Sequence, residues 1–278
     1  MFRGRKLLIA TKHGKEQVLA PLLEAALQVE CITNEAFDTD SLGTFSGEVE
    51  RTLDPVSAAR EKCLRAAKLA NCDLVVGSEG SFGPHPLLPF VAVDEEILLF
   101  LDLRHSLEIM ARELSTATNF ASSELTDLPS LEQFAQAADF PEHALILRKS
   151  AHETHDMRKG IREPEILWQH FDLLRLKYGS AYVETDMRAH CNPSRMELIR
   201  KTGIQLIEKI QTCCPACAFP GFDVVEVLRG LECGWCGAPT RSVRCHVKRC
   251  KNCGAVQELW FPHGKEKEDP MHCDCCNP

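Results

Sequence analysis

The sequence has no long hydrophobic run. Its longest apolar stretch, Ile97 to Leu103, is interrupted by Asp102. It falls far short of the roughly 20 residues that a membrane helix needs, so no membrane partner is expected. After the basic start Met1 to Lys6, only Leu7 to Ala10 follow as an apolar run. That is too short for the core of a signal peptide, and a cytoplasmic location is expected. A surplus of positive charge is also missing: 32 basic residues stand against 40 acidic ones, a net charge of −8. This argues against a protein that mainly coats nucleic acid, while leaving a local contact open. Residues 1–212 show no internal repeat and no low-complexity tract. With 278 residues, 44% apolar and 26% charged, the composition excludes disorder, collagen and coiled coil and allows one or two folded domains.

What the chain does have is cysteine. Of 15, eleven lie after position 212, and without an export signal such clustering points to metal rather than disulfides. The charge divides at the same place: residues 1–212 carry the whole net charge, and residues 213–278 hold eight basic and eight acidic residues. Two domains are expected, 1–212 and 213–278. In the second, four Cys-x-x-Cys knuckles stand out: Cys214/Cys217, Cys233/Cys236, Cys250/Cys253 and Cys273/Cys276, separated by 15, 13 and 19 residues. Two knuckles supply four tetrahedral thiolates, so two structural zinc ions are expected. Sequential pairing, first knuckle with second and third with fourth, fits the usual ribbon intervals. Cross-braced pairing, first with third and second with fourth, is the alternative. A segment so poor in aliphatic residues needs such staples to fold. Arg241, Arg244, His246, Lys248, Arg249 and Lys251, with Trp235 and Trp260 nearby, allow either a solvated ribbon face or a protein or RNA partner.

The first domain alternates strand and helix signals. Strands are expected at Lys6–Thr11, Asp73–Gly77, Phe90–Val93, Ile97–Leu103, Leu107–Leu114, Ala144–Arg148 and Ala181–Met187. Helices are expected over Lys15–Gln28, from Asp54-Pro55 to Ala70, from Ser130, over Glu163–Tyr178, and from Asn192-Pro193 to Ile210. Residues 34–53 and 115–129 read as loops. The order predicts an α/β sandwich around a mixed sheet.

Three segments place polar groups where strands should end, the usual ligand edge of such sheets. Thr11-Lys12-His13-Gly14-Lys15 offers a helix N-terminus, a glycine and two lysines for a phosphate; the alternative is an ordinary strand–helix turn. Gly77 to Pro86 reads as a glycine-rich turn in which Glu79 could hold Mg²⁺ or Mn²⁺ against phosphates. In Glu184-Thr185-Asp186-Met187-Arg188-Ala189-His190, alternation puts Glu184, Asp186 and Arg188, and His190 if the strand runs that far, on one strand face for metal and phosphate; the alternative is the wet face of an edge strand. The polar loop Asp38 to Arg51 could be a lid carrying Glu48 or Glu50. His152 to Asp156 holds two histidines with no clear third ligand and reads as surface.

These motifs, with Asp38-Thr39-Asp40, Gly43 to Glu48, Ser78 to Pro86, Glu184 to His190 and the knuckles ending in Cys276-Asn277-Pro278, resemble an uncharacterised bacterial domain-of-unknown-function family with a C-terminal double zinc ribbon. Residues 5–86 also resemble the inosine-triphosphatase and Maf-like nucleotide pyrophosphatases. The shared order is a Thr-x-Lys loop, Asp-Thr followed by Thr-Phe-x-Gly-Glu, the helix carrying Ala59, Arg60 and Lys62, and a strand ending in an acidic Gly/Ser turn. That resemblance implies an inosine-triphosphatase-like mixed-sheet domain. It also implies phosphate binding by Thr11, Lys15 and Lys62, and metal handling by Glu48 or Glu50 and Glu79. The sequence differs from that pattern in a shorter first loop, His13 for the usual asparagine, and one carboxylate in the acidic turn. The function expected is metal-dependent hydrolysis of a nucleoside triphosphate or related phosphate ester. The alternative is a nucleotide-sensing or protein- or RNA-docking zinc protein.

Overall fold

The computed structural model of the chain describes residues 1–11, 13–34 and 53–278; the lid candidates Glu48 and Glu50, and Lys12, lie outside them. The chain divides into two compact units, Met1–Leu206 and Ile207–Pro278.

The first unit opens with β1 (Lys6–Ala10), α1 (Glu16–Leu27), β2 (Glu30–Ile32), α2 (Pro55–Ala70), β3 (Leu74–Pro84), β4 (Ala92–Asp102) and β5 (Leu107–Ser115). The five strands form one mixed sheet in the order β2-β1-β3-β4-β5. β1 runs parallel to both β2 and β3, and β3-β4-β5 is an antiparallel meander. Leu7, Leu8 and Ile9 are buried, as expected of a parallel strand covered on both faces. α2 starts where its sequence says it should: the Asp54 carboxylate accepts from the Val56 and Ser57 amides at 3.0 Å, Pro55 takes the first helical position, and Asn71 closes the helix in the left-handed region.

The two faces of this sheet are covered differently. α2 lays Ala59, Cys63, Ala66 and Ala67 on Leu8, Ala10, Val75, Leu99 and Leu101. The approach is close enough that a Cβ at Gly77 would run into the Cys63 sulfur. On the opposite face α5 (Pro193–Gln211) brings Gly203 against Leu19 and Leu22 of α1 and Leu98 of β4.

A second sheet in this unit contains β6 (Ser122–Leu125), β7 (Leu145–Arg148), β8 (Arg158–Ile161) and β9 (Ala181–Thr185), in the antiparallel order β6-β9-β7-β8. α3 (Leu128–Ala137) and α4 (Pro164–Tyr178) pack Leu131, Ala135, Leu167, Phe171 and Leu174 on Leu145, Leu147, Ala181 and Val183.

Several sequence expectations change. The glycine-rich segment after Gly77 is not a turn but the continuation of β3, held by an eleven-residue ladder to β4. Phe90–Val93 and Ile97–Leu103 merge into the single strand β4, because Glu96 is tolerated inside it by its buried partner Arg195 and Asp94 by a pKa that burial raises to about 7. β6 lies within the stretch 115–129 expected to be a loop, and β8 was not expected; both are four-residue strands with little apolar alternation. β9 stops at Thr185, two residues early.

The second unit holds an antiparallel sheet, β10 (Asp223–Arg229), β11 (Val243–Arg249) and β12 (Val256–Trp260), in that order. No helix among the described residues is long and apolar enough to cross a membrane.

Candidate functional site

The knuckles of the second unit form two cysteine tetrads. Cys214, Cys217, Cys250 and Cys253 make one, Cys233, Cys236, Cys273 and Cys276 the other, with the sulfurs of each tetrad within 4.8 Å of one another. Pairing is therefore cross-braced, first knuckle with third and second with fourth, and the sequential expectation is corrected. The sheet explains why: β10 and β11 are antiparallel neighbours, so the knuckle before β10 and the knuckle after β11 fall at the same end. Interval length alone does not carry that information.

The knuckles share one backbone design. The amides of Ala218, Gly237 and Gly254 donate to the carbonyls of Cys214, Cys233 and Cys250 at 2.8–3.0 Å. All three residues have positive φ, which glycine adopts without strain. Sulfur separations across the tetrads are 3.7 and 3.6 Å in the first and 3.9 and 3.6 Å in the second. Four thiolates about 2.3 Å from a tetrahedral zinc stand about 3.8 Å apart, so the cages fit zinc as they are. The Asn252 amide and then the Phe219 N–H draw the Cys217 thiol down to about 6. The N–H groups of Cys236 and Trp235 draw Cys233 down to about 7. Against the Ala255 N–H, the neighbouring sulfurs push Cys253 the other way, up to about 12, as they do Cys276. These shifts favour the thiolate at one sulfur of each tetrad and the thiol at another. All eight ligands have protein sulfur partners and closed geometry, which is the arrangement of a structural site rather than a catalytic one.

In the first unit, β1 and β3 are parallel neighbours whose onward connections leave in opposite directions, β1 to β2 and β3 to β4. The place where β1 ends alongside the middle of β3 is the topological switch point, the kind of position where open α/β sheets take ligands. Two sequence-predicted lysines meet there on one residue. Lys15, at the N-terminus of α1, donates from Nζ to Ser78 Oγ at 2.9 Å. Lys62, from α2 on the other face, donates from Nζ to the Ser78 carbonyl at 2.9 Å and pairs with the Glu79 carboxylate. Thr11, at the end of β1, has a buried Oγ1 without a hydrogen-bond partner.

Residues that sequence reasoning did not assign complete the cluster. The ladder pairs Gly80 with Glu96 and Phe82 with Asp94, so both carboxylates share the α1/α5 face with Ser78. Glu96 is completely buried. Its Oε1 accepts from Arg195 Nε at 2.5 Å, and its Oε2 lies 3.7 Å from Lys15 Nζ with no hydrogen bond. Arg195, also completely buried, donates to the Met187 carbonyl and lies 5.1 Å over the Phe82 ring. A Cβ at Gly80 would strike this Arg195–Glu96 pair, so glycine is needed there for space. Burial, reinforced by the charge of Glu96, pushes the Asp94 carboxyl up to about 7, and its Oδ1 accepts no hydrogen bond. Burial likewise lowers Lys15 to about 8, against the opposing pull of Glu96. The one sequence signal for these groups was Asp94-x-Glu96 leading into an apolar run, an alternation that marks one strand face.

The third predicted segment behaves differently. Glu184 pairs with Arg148 at 2.8 Å. Asp186 lies beyond the end of β9, completely buried, and pairs with Arg188 at 2.6 Å while accepting from the Gly160 amide at 3.0 Å. Burial opposes its ionisation, but the Arg188 guanidinium wins and holds the carboxyl below the usual range. The three residues are not one continuous row, because the strand ends between them. The segment reaches the switch point through its neighbours instead: Met187 through Arg195, and His190 by stacking on His13 at 5.4 Å.

A family model described as a domain of unknown function (DUF6671) matches residues 62–278. The chain belongs to this family. Its matched span includes Lys62, Ser78, Glu79, Asp94, Glu96, Arg195 and all eight cysteines of the tetrads. Among curated proteins, the chain is similar to 4-hydroxy-3-methylbut-2-en-1-yl diphosphate synthase (flavodoxin) of Acidiphilium cryptum. The two are 24% identical over 190 residues, 67% of this chain and 47% of the synthase. The Gluconobacter oxydans protein of the same name is 25% identical over 190 residues, 67% of this chain and 46% of that protein. The chain thus spans about half the length of the curated relatives it matches. Among solved structures, protein VC0702 from Vibrio cholerae aligns over 75% of this chain and 96% of its own at 14% identity and a TM-score of 0.31. None of these proteins is described as an inosine triphosphatase or a Maf-like pyrophosphatase.

Proposed function

We propose that the first unit binds a nucleoside triphosphate or related phosphate ester at the switch point and hydrolyses it with a divalent cation, while the zinc unit plays a structural part. The observation that carries this reading is the meeting of Lys15 and Lys62, from opposite faces of the sheet, on Ser78. Two nearly buried ammonium groups beside a helix N-terminus form a ready anion site. The phosphate oxygens would take the Lys15 and Lys62 protons now given to Ser78. Glu79 would orient the attacking water. Water oxygen bonds to phosphorus, the bond to the leaving oxygen breaks, and the released proton goes to a carboxylate. Bound Mg²⁺ or Mn²⁺ would neutralise phosphate charge. Glu79, with Glu48 or Glu50, would hold it on the protein side. Among the described residues only the cysteine tetrads bring three protein donors together. The ion would therefore be completed by the ligand's own phosphate oxygens, as is usual for Mg²⁺.

One observation favours a second reading, a nucleotide sensor without turnover: Glu79 and Glu96 are both engaged in ion pairs. The test is phosphate or pyrophosphate release by the zinc-loaded protein across a nucleotide panel with Mg²⁺ or Mn²⁺. The hydrolase reading expects turnover that falls at least a hundredfold in Glu79→Gln with folding intact. Nucleotide binding without any turnover would replace it by the sensor.

A further inference from the structure

The even charge count of the zinc unit hides a segregation that the strand register exposes. Residues directly opposite one another share a sheet face. His246 of β11 lies opposite Val227 and Leu259, and Lys248 lies opposite Val224 and Gln257. Arg244, two residues before His246, shares that face by alternation. It therefore carries three cationic or protonatable side chains on its central strand, and no acidic residue stands at any of these register positions. The other face takes Glu226 and Glu258, both opposite Val247. It is also the packed face, since Cys245 is fully buried and Val247 nearly so. The cationic face is the solvent side, with Val227 and Leu259 close to half exposed.

One ring borders this face and another lies at its edge. The His263 ring meets His246 edge-on at 5.7 Å, while the Arg244 guanidinium reaches 5.0 Å over the ring of Trp260, which the register sets on the other face opposite Cys245 and whose Nε1 donates to Glu258. His263 also lines a hollow of about 600 Å³ together with Arg229, Arg241, Lys265 and His272. The acids of that hollow are already engaged, Asp274 by Arg241 and Glu268 by Lys265.

We propose that this solvent face of the β10-β11-β12 sheet binds single-stranded nucleic acid. Alternate residues of a strand are spaced about 7 Å apart, so Arg244, His246 and Lys248 offer a row of charges at the step of an extended phosphate backbone. The apolar side chains and ring edges between them take base faces without reading sequence. An acidic peptide would match the charge but would leave Val227, Leu259 and the rings without planar partners.

The test is fluorescence anisotropy of the zinc-loaded full chain with labelled 12-nucleotide oligo(U) and oligo(dT), between 50 and 200 mM salt. The expected result is binding that weakens with salt and falls at least tenfold in Arg244→Glu/Lys248→Glu, with zinc content unchanged. Glu226→Ala, on the opposite face, leaves affinity at the wild-type level. Should the double charge reversal lose zinc, Lys248→Gln carries the test, lowering the salt slope by about 0.7. Equal affinity for the two oligonucleotides assigns the contact to phosphates and bases; preference for oligo(U) adds the 2′-hydroxyl, and both support the proposal. It is overturned by absence of binding at 50 mM salt, by affinity unaffected in both cationic variants, or by polyglutamate competing as well as the oligonucleotide.

Discussion

Arg195 has no exposure to solvent, yet it carries a full charge and faces Glu96, the Met187 carbonyl and the Phe82 ring. Removing one partner of a buried ion pair leaves the other charge uncompensated, at a cost of about 3–5 kcal/mol. Arg195→Met is therefore expected to lower unfolding stability in urea by that amount, and Arg195→Met/Glu96→Leu to recover most of the loss. Asp94 supplies a pH dependence. Its folded pKa, about 7, lies above that of an unfolded aspartate, so between about pH 4 and pH 7 the folded state binds more protons than the unfolded one. Stability from this group is complete below pH 4 and is lost as pH rises through 7. The stability of Asp94→Asn relative to wild type is expected to grow across that window and to stay level above it, measured by urea unfolding from pH 4 to 8. At this scale the sequence was partly legible. Lys15, Lys62 and Glu79 were named from their motifs, and they do meet around Ser78. Arg195 and Glu96 were not, because a charge in a buried pair reads in sequence like any solvated charge, and their separation of 99 positions gives no local pattern.

Among the elements, knuckles and long helices were the easiest to read. The Asp54-Pro55 start of α2 and the Cys-x-x-Cys turns each carry their mechanism within a few residues. β3 was harder. Gly77 admits Cys63 on one face and Gly80 the Arg195–Glu96 pair on the other, and a glycine kept for space looks the same as one kept for a turn. The pairing of the knuckles depends on strand neighbours and so lay beyond interval counting. It yields a sharp prediction: Cys214→Ser/Cys250→Ser removes two ligands from one cage and should cost one zinc per chain. Sequential pairing would instead damage both cages. Zinc released to a chromophoric chelator after denaturation distinguishes the two.

At the scale of the whole molecule, the α/β character of the first unit was evident in the order of strand and helix signals, and the cysteine-rich, metal-binding character of the second in its composition and knuckles. The switch point was not, since it depends on the order of strands in the sheet. That order is what turns two of the scattered motifs into a candidate site: β1 ends beside β3, so the loop after β1 lies next to the middle of β3. The central claim is that the Lys15–Ser78–Lys62 cluster is built for an anion, and calorimetric titration of the zinc-loaded protein with pyrophosphate tests it most directly. Burial places Lys15 near 8, so its charge is present at pH 7 and mostly gone at pH 9. The account predicts binding at pH 7 that weakens severalfold at pH 9, falls at least tenfold in Lys15→Met and in Lys62→Met, and loses most of its pH dependence in Lys15→Met. Affinity indifferent to both lysines, or no binding by a folded, zinc-replete protein, would contradict it.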